Sequence, residues 1–258
     1  MLVIAPLLFL GFSSAIAQKN FTVRHFDKTQ GLSSNFIEAV TQSSSGHLII
    51  ATKGGLDRFE GRNFQNLKSD TGLLEHVTSV HQSNSEICFG LFDGNIGKYA
   101  ETTGAQIFKT GINGQIKHIY KDDKDGVWAF SRSGMVFWTD ATDTCRYDMA
   151  EHDMLINAVI PYKHKEFIIG SNDGLLLVRF ESGNEFQILR KIEGLSETKI
   201  TALKYESHMD MLWVGTEDAG LHRVFSPFSK HQKLEEFKLN SGKSVDDVQT
   251  IFTDHLNR

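Results

Sequence analysis

The chain has few prolines and cysteines, and after its first residues it has no long hydrophobic run. Its 258 residues include three prolines and two cysteines, and the formal net charge is −5. A nucleic-acid-binding surface needs lysine and arginine clustered on one face, whereas the basic residues here are scattered. We therefore expect no nucleic-acid partner. No run after residue 17 is long enough to cross a membrane as a helix.

Motifs for the common catalytic and metal chemistries are also missing. The sequence contains no Gly-x-Ser-x-Gly, no phosphate-binding glycine loop and no Cys-x-x-Cys. The 11 histidines lack the close spacing of a zinc site. Asp122–Gly126 resembles a calcium loop, but aligning its glycine puts Lys121 first and Arg132 last, where carboxylates are needed. We expect a hairpin turn there, and no metal, cofactor or catalytic residue in this chain.

Residues 1–17 are the exception to the absence of hydrophobic runs. They carry no charge and end in Ala15-Ile16-Ala17, which predicts a secretory signal peptide cut before Gln18. The apolar run is about fifteen residues, shorter than the roughly 20 that a spanning helix needs. No lysine or arginine precedes it, so an upstream start, an atypical signal and a retained membrane anchor stay open. Each of these places residues 18–258 in the periplasm or outside the cell.

The most informative feature is a repeat with a period of about forty residues. Its clearest copy is Leu212–Val224 (LWVGTEDAGLHRV), and weaker copies begin at Leu48, Ile87, Val127 and Phe167. A glycine recurs at one position of every copy: Gly55, Gly94, Gly134, Gly174 and Gly220. The repeats lack helical spacing, which argues against a helical solenoid.

Each repeat begins with a short run that follows one rule: β-branched, any residue, small, aliphatic. These runs are 37–40, 77–80, 116–119, 156–159, 200–203 and 248–251, and His118 breaks the rule at its third position. Apolar residues at the first and fourth positions point to opposite faces of a strand, so we expect both faces to be buried. The second run ends in a small residue, except at Phe130, which predicts close approach by a neighbour. The fourth run is polar.

This gradient from a buried to a solvated strand predicts an all-β fold, a β-propeller of four-stranded antiparallel blades. A β-sandwich is the alternative, but its strands would not recur in blocks of four. The predicted blades span about 36–68, 76–110, 115–148, 155–190 and 199–239, and a sixth starts at 247–258. We therefore expect an incomplete propeller that is a segment of a longer protein. A lone strand, 21–26, is expected to close the ring and hide an edge.

Cys88 and Cys145 fall at different places in their repeats, so no symmetric disulfide framework is encoded. We expect two buried or half-buried free thiols, because unpaired cysteine behaves as a small hydrophobic residue.

The pattern at Leu212–Val224 resembles the bacterial two-component regulator propeller repeat, and Gly31–Asn35 (GLSSN) is similar to the opening of that family's repeat. The resemblance covers residues 21–258. It departs at Ile49 and Ile168, where the family prefers tryptophan, and at Phe130, where glycine is usual. The resemblance implies the periplasmic, non-catalytic sensor region of a histidine kinase or hybrid two-component protein. It also implies a following immunoglobulin-like module, membrane helix and kinase domains, with sugars as common inputs.

In a propeller, the loops before the first strand and between the second and third strands emerge around the channel mouth. The candidate ligand-binding residues in or beside these loops are Asn35, Lys53, His76, Asp93, His118, Arg132, Asp173, Lys199 and Glu217, with His118 lining the channel. The connection 190–199 is longer than its counterparts, which is typical of a binding loop on a regular scaffold.

The expected partners are an oligosaccharide or other extracellular ligand, downstream kinase domains of the same chain, and a second copy of the chain. Two other functions stay open, because a fold does not determine a function. One is a secreted carbohydrate-active enzyme on a propeller scaffold. The other is a protein-interaction scaffold without a small ligand.

Overall fold

The computed structural model describes residues 24–69, 72–83, 86–124, 126–140, 142–149, 154–238 and 247–252. The predicted signal peptide and residues 21–23 of the predicted closing strand lie outside these ranges. The described residues form mainly strands and turns, with single 3-10 turns at Lys28–Gln30 and Ser207–Met209. No helix within this described part is long and apolar enough to cross a bilayer.

The strands form five antiparallel four-stranded sheets in chain order. Sheet 1 consists of β1 (Ile37–Gln42), β2 (Leu48–Thr52), β3 (Gly55–Phe59) and β4 (Phe64–Ser69), and β4 also pairs with the short β5 (Gly72–Leu73). Sheet 2 consists of β6 (Val77–Ser83), β7 (Glu86–Leu91), β8 (Ile96–Ala100) and β9 (Gly104–Phe108). A parallel bridge between Ser69 and Ala105 joins sheets 1 and 2 at their outer strands.

The other three sheets repeat this plan. Sheet 3 consists of β10 (Ile116–Lys121), β11 (Val127–Ser131), β12 (Met135–Thr139) and β13 (Thr144–Asp148). Sheet 4 consists of β14 (Ile156–Lys163), β15 (Glu166–Ser171), β16 (Gly174–Phe180) and β17 (Phe186–Lys191). Sheet 5 consists of β18 (Ile200–Glu206), β19 (Met211–Thr216), β20 (Leu221–Phe225) and β21 (Lys233–Glu236). In each sheet the strands pair in sequence order, as expected for successive hairpins.

The first strands of the sheets lie closest to a shared centre. β1, β6, β10, β14 and β18 contact one another in succession, and the second strands of sheets 1 to 4 each contact the first strand of the next sheet. One cavity is lined by residues of all five first strands, among them Glu38, Thr78, Lys117, Asn157 and Thr201. This arrangement is propeller-like, as the repeat predicted, and we call the cavity the central channel.

Small residues let neighbouring sheets approach, as the sequence predicted. A Cβ atom on Gly90 would lie 2.4 Å from Ile116 Cγ2, and one on Gly170 would lie 2.5 Å from Ile200 Cγ2. The same contact places Val248, from the start of the sixth repeat, against Gly215. Glycine is required at these positions because a side chain would occupy the space of the next sheet's first strand.

Phe130 takes the place of this glycine in sheet 3, and the interface with sheet 4 is packed differently. The ring of Phe130 lies 4.9 Å from the ring of Phe167 and 6.0 Å from that of Phe180. Trp128 and Tyr147 complete a buried aromatic cluster between these two sheets. Aromatic side chains bury large apolar areas, so this cluster supplies much of the contact between sheets 3 and 4.

The prediction that both faces of every first strand are buried is wrong for β1. Ile37 is 48% exposed and Val40 is 55% exposed, whereas Ile116 and Ile119 at the same positions of sheet 3 are buried. The reason is that β1 packs against β6 on one side, while its other side faces solvent.

The segment before sheet 1 packs on the outer strands of that sheet. Residues 24–26 form no strand, and the ring of Phe26 lies 4.9 Å from Phe59 and 5.7 Å from Phe64. Closure of the ring by 21–26 stays a prediction, since residues 21–23 lie outside the described part of the chain.

The GLSSN turn is tied to sheet 1 through a buried carboxylate. Asp57 is fully buried and accepts hydrogen bonds from Ser33 N (3.0 Å), Ser33 Oγ (2.6 Å) and Asn66 Nδ2. A buried carboxylate is tolerated when donors surround it, so this turn has a structural role.

The expected turn at Asp122–Gly126 is confirmed. The Asp122 and Gly126 backbones close the turn with a 2.8 Å hydrogen bond, and Asp122 Oδ1 accepts from Gly126 N at 2.9 Å. The other oxygen of Asp122 accepts from Trp128 Nε1 at 3.0 Å. The carboxylate therefore holds the β10–β11 hairpin together.

The expectation of two buried free thiols is also confirmed. Cys88 and Cys145 are both buried and unpaired. Burial raises the pKa of Cys88 to about 11, so this thiol stays protonated and unreactive at neutral pH.

Candidate functional site

Each of the five first strands carries a β-bulge at its second residue. The pairing register with the second strand shifts between Ile37 and Ala39, and it shifts at the same place in the other four sheets. A bulge inserts an extra residue, bends the strand and re-aims a side chain. The residues at the bulges are all polar: Glu38, Thr78, Lys117, Asn157 and Thr201. All five line the central channel, a cavity of about 390 Å³.

Some of these side chains also fasten one sheet to the next. Thr78 Oγ1 donates to Ile116 O at 2.7 Å, and Thr201 Oγ1 donates to Val248 O. Sequence reasoning missed the whole set because it treated the second position as unconstrained. A signal was present, since the second position is polar in every repeat, including Gln249 in the sixth.

Backbone hydrogen bonds link the loops around one end of this channel, which we call the channel mouth. It is formed by residues that precede the first strands, such as Phe36, His76 and Gln115, and residues that follow the second strands, such as Lys53 and Arg132. Within a sheet, Lys53 N donates to Phe36 O at 3.2 Å, and Arg132 N donates to Gln115 O at 3.2 Å. Between sheets, His76 N donates to Lys53 O at 3.2 Å. Backbone hydrogen bonds therefore fix the loops within a sheet and join the loops of sheet 1 to those of sheet 2.

One side of the channel mouth presents aromatic rings to solvent. Phe36 is 65% exposed and Phe92 is 53% exposed. The His76 ring stacks on Phe92 with centroids 4.4 Å apart and planes 5° apart, and Lys53 Nζ lies 4.6 Å from the Phe36 ring centroid. His76 Nε2 also lies 3.2 Å from Glu38 Oε1. Sequence reasoning named Lys53 and His76 but missed the exposed rings that they contact.

Another side of the mouth, formed by sheets 3 to 5 and Gln249, is charged. A cavity of about 190 Å³ is lined by Lys117, Arg132, Lys199 and Glu217 together with Ile156, Asn157, Thr201 and Gln249. Lys199 Nζ pairs with Glu217 Oε1 at 2.5 Å. Within the described part of the chain, neither Lys117 nor Arg132 forms an ion pair. The predicted residues Arg132, Lys199 and Glu217 are therefore brought together, and Lys117 is a fourth member that the sequence analysis did not name.

His118 lines the central channel as expected, but as a neutral ring. Its Nε2 lies 2.9 Å from Asn157 O, so this nitrogen carries the proton and donates it. Burial lowers the pKa of His118 to about 4, against a smaller opposing effect of that hydrogen bond. Tyr120, two residues along β10, donates its hydroxyl to Val159 O. Both side chains thus connect sheet 3 to β14.

Three other predicted residues lie in turns and hold those turns together. Asn35 Oδ1 accepts from Lys28 N at 2.9 Å. Asp93 Oδ1 accepts from Asn95 N at 3.0 Å. The backbone N–H of Asp173 donates to Ser171 Oγ at 3.1 Å. Ligand contact by any of the nine predicted residues stays a prediction.

The long connection 190–199 is packed rather than free. β17 continues through Lys191, and Ile192 and Leu195 are buried in the cluster between sheets 4 and 5. A Cβ atom on Gly174 would lie 2.6 Å from Leu195 O. The extra residues therefore place core side chains between two sheets.

No group of three or more histidine, cysteine, aspartate or glutamate side chains within the described ranges is close enough to hold a metal ion. The polar groups that converge at the mouth are hydrogen-bond donors and acceptors together with cations. Such a set is suited to binding a polar or anionic molecule from solution.

Neither a protein-family model nor a curated protein matches this chain. Solved structures do match. The extracellular domain of the hybrid two-component system BT4673 of B. thetaiotaomicron is 13% identical with a TM-score of 0.59, over 88% of this chain and 37% of that one. The extracellular domain of a second such system, BT3049 of B. thetaiotaomicron, is 18% identical with a TM-score of 0.53, over 91% and 39%.

PorZ, a surface component of the type-IX secretion system of Porphyromonas gingivalis, is 13% identical with a TM-score of 0.59, over 84% of this chain and 36% of that one. This chain therefore spans between 36% and 39% of the length of these structures. At identities of 13% to 18%, the similarity shows that this chain shares the fold of these structures and nothing further.

Proposed function

We propose that this chain is the extracytoplasmic ligand-sensing region of a two-component signalling protein, a histidine kinase or hybrid sensor, and is not itself catalytic. The observation that carries the proposal is the convergence of five bulged polar side chains, one from each sheet, on a single channel. Bulges next to a cavity re-aim side chains toward it. A site built from every sheet is sensitive to how the sheets are placed, which suits a sensor.

Two further observations support the signalling part. The repeat at Leu212–Val224 resembles the two-component regulator propeller repeat, and two of the similar solved structures are extracellular domains of hybrid two-component systems. The apolar N-terminal segment supports a location in the periplasm or outside the cell. The proposed partners are an oligosaccharide or other extracellular ligand, downstream kinase domains of the same chain, and a second copy of the chain.

We also infer an incomplete ring, with five blades and the start of a sixth at residues 247–252. Val248 N donates to Thr216 O at 3.1 Å, and Val248 packs on Gly215 as Ile200 packs on Gly170. The exposed Ile37 and Val40 support a further blade on the free side of β1, because a large apolar face is normally covered.

A binding screen tests the ligand-sensing proposal. Residues 18–258 are purified and their melting temperature is measured with a panel of neutral and acidic oligosaccharides. At least one class should raise the melting temperature, since a ligand that binds the folded state alone stabilises it. Asn157→Ala, at a bulge in the channel, should remove the shift, whereas Asn63→Ala, in the exposed β3–β4 turn, should keep it. A panel without any shift, or cleavage of an oligosaccharide by the chain, would count against the proposal.

The proposed role in two-component signalling is tested in cells. Deleting the gene should abolish the transcriptional response to the ligand found in the screen. An unchanged transcriptional response in the deletion strain would contradict the signalling role. The protein would then be a ligand-binding protein that is not a sensor.

A further inference from the structure

We infer that the charged side of the channel mouth is an oxyanion-binding site, which takes a carboxylate or sulfate group through Lys117 and Arg132. The inference rests on the proposed ligand-binding role of the mouth and names the chemical class of the ligand.

The charged side of the mouth is locally basic. The lining of the 190 Å³ cavity contains three cationic side chains and the single carboxylate of Glu217, whereas the whole chain has a formal charge of −5. Glu217 is engaged with Lys199 at 2.5 Å. Lys117 and Arg132 are therefore left without a counter-charge, and an anion in the cavity would be attracted by both.

The side-chain donors of Lys117 and Arg132 are unused within the part of the chain that the structure describes. An arginine side chain carries five N–H donors in a fixed fork, and a lysine ammonium carries three. Within the described residues, no side-chain hydrogen bond of Lys117 or Arg132 is formed. By contrast, the neighbouring donors are occupied: Thr201 Oγ1 donates to Val248 O, and Gln249 Nε2 donates to Asp247 Oδ1 at 2.6 Å. The free donors of the cavity are thus those that bind carboxylate and sulfate most strongly.

The backbone positions both of these cations. Lys117 occupies the bulge of β10, so its side chain is aimed by the strand and not by a flexible loop. Arg132 is anchored at both of its backbone groups, since its N–H donates to Gln115 O at 3.2 Å and its C=O accepts from Ile156 N at 3.1 Å. Cations held on a fixed frame lose less conformational freedom when they bind an anion.

Glu217 lies in the same cavity as these cations. Its carboxylate would repel an incoming anion and compete with it for Lys199. The two kinds of side chain therefore predict opposite effects: removing a cation should weaken anion binding, and neutralising Glu217 should strengthen it. A general change in surface charge would have effects of the same signs, but they would be equal at the mouth and at distant positions.

The test measures binding of sulfate and of D-glucuronate to residues 18–258, with neutral D-glucose as comparator, by NMR titration or calorimetry. Potassium chloride keeps the ionic strength constant, so that screening is equal throughout. The wild-type chain should bind at least one of the two anions more tightly than glucose. Lys117→Gln and Arg132→Gln should each weaken it about three- to tenfold, as expected for the loss of one charge-assisted hydrogen bond. Glu217→Gln should tighten it.

Matched controls carry the same changes at exposed positions on outer strands and loops: Lys191→Gln, Arg62→Gln and Glu193→Gln. The dissociation constant of each control variant for the anion should stay within about twofold of the wild-type value, because distant surface charges are screened. Far-ultraviolet circular dichroism confirms that each variant is folded. A preference for sulfate or for glucuronate identifies which oxyanion the site takes.

The inference is overturned if neither anion binds, or if the mouth variants behave like their controls. The oligosaccharide screen then separates the two proposals. A neutral oligosaccharide that still binds wild type, but not Asn157→Ala, would leave the ligand-sensing role intact and remove the anion site alone.

Discussion

Gly94 shows how one residue limits the geometry of a whole repeat. It adopts a φ of 89°, and a Cβ atom there would lie 2.1 Å from Ile112 O and 3.1 Å from Gly114 O. Gly55 and Gly174 meet the carbonyl oxygens of Leu74 and Leu195 in the same way. In these three repeats the glycine is needed because the chain that leads into the next first strand passes directly over it.

We predict that Gly94→Ala destabilises the protein far more than Gly61→Ala. Gly61 has a similar φ of 87° with nothing within 4 Å of its Cβ position. Gly61→Ala should therefore lower the free energy of unfolding by about 1 kcal/mol, the cost of placing alanine in a left-handed backbone conformation. Gly94→Ala adds a clash with backbone and should cost at least about 3 kcal/mol. Urea unfolding followed by circular dichroism measures both, and equal losses would show that the clash is relieved without cost.

His118 makes stability depend on pH. Its pKa in the folded state is about 4 because burial disfavours the charged ring, while in the unfolded chain it is near the usual value of about 6.5. As pH falls below about 6.5, the unfolded state takes up a proton that the folded state does not, so stability decreases until about pH 4. Between pH 7.5 and 5 the expected loss from this group is about 2 kcal/mol.

The change His118→Gln tests this origin of the pH dependence. Glutamine keeps a side-chain donor for Asn157 O but does not titrate, so the variant should lose about 2 kcal/mol less than wild type between pH 7.5 and 5. The free energy of unfolding at both pH values gives the comparison. The same pH dependence in both proteins would assign it to the other histidines.

The first strand is the element that carries both the core and the channel. Its β-bulge separates an apolar first residue, packed between sheets, from a polar second residue that faces the channel. In β10 these are Ile116, which is fully buried, and Lys117. In β1 the first residue, Ile37, has no neighbouring sheet and stays half-exposed.

We predict that Ile116→Ala and Ile37→Ala differ strongly in their effect on stability. Ile116 fills space against Gly90, so its truncation should cost about 3 to 4 kcal/mol. Ile37→Ala should cost less than about 1 kcal/mol, because its side chain is largely exposed already. Chemical unfolding at two protein concentrations measures both. A large, concentration-dependent cost for Ile37→Ala would instead show that a second copy of the chain covers β1.

For the whole molecule, the interfaces between sheets are not equivalent. Glycine lets sheet 3 pack closely on sheet 2 and sheet 5 on sheet 4, whereas sheets 3 and 4 meet through Phe130 and its aromatic neighbours. His118 and Tyr120 reach across the same interface to backbone carbonyls of β14. This interface combines aromatic packing with buried hydrogen bonds.

We predict that Phe130→Ala destabilises the protein by about 3 to 5 kcal/mol, because it opens a cavity between sheets 3 and 4. Phe108→Ala, at a ring that is 42% exposed on β9, should cost less than about 1.5 kcal/mol. Thermal unfolding of both variants provides the measurement. Similar melting temperatures for the two variants would mean that the aromatic cluster collapses around the gap.

Much of the fold could be predicted because the strands and turns of each repeat are specified by residues that are close together in the chain. Turn residues such as Gly94 and Asp122, and the alternation of buried and polar runs, act on neighbours in the chain and need no distant contact. The candidate site was predicted less well. Arg132, Lys199 and Glu217 do meet at the mouth, but Lys117 was missed. A polar second residue recurs in every first strand, yet the residues of one strand do not show that a bulge turns this side chain toward the channel.

The succession of four-stranded sheets follows from local sequence, since hairpin turns and strand patterning depend on residues close together along the chain. The packing of the sheets decided that Lys117 joins the charged cavity, why Ile37 is exposed while Ile116 is buried, and how Phe130 is accommodated. These outcomes depend on the packing of sheets that are separated by about forty residues in the chain. Contacts of that kind are set by the shape of both partners, which no single repeat specifies.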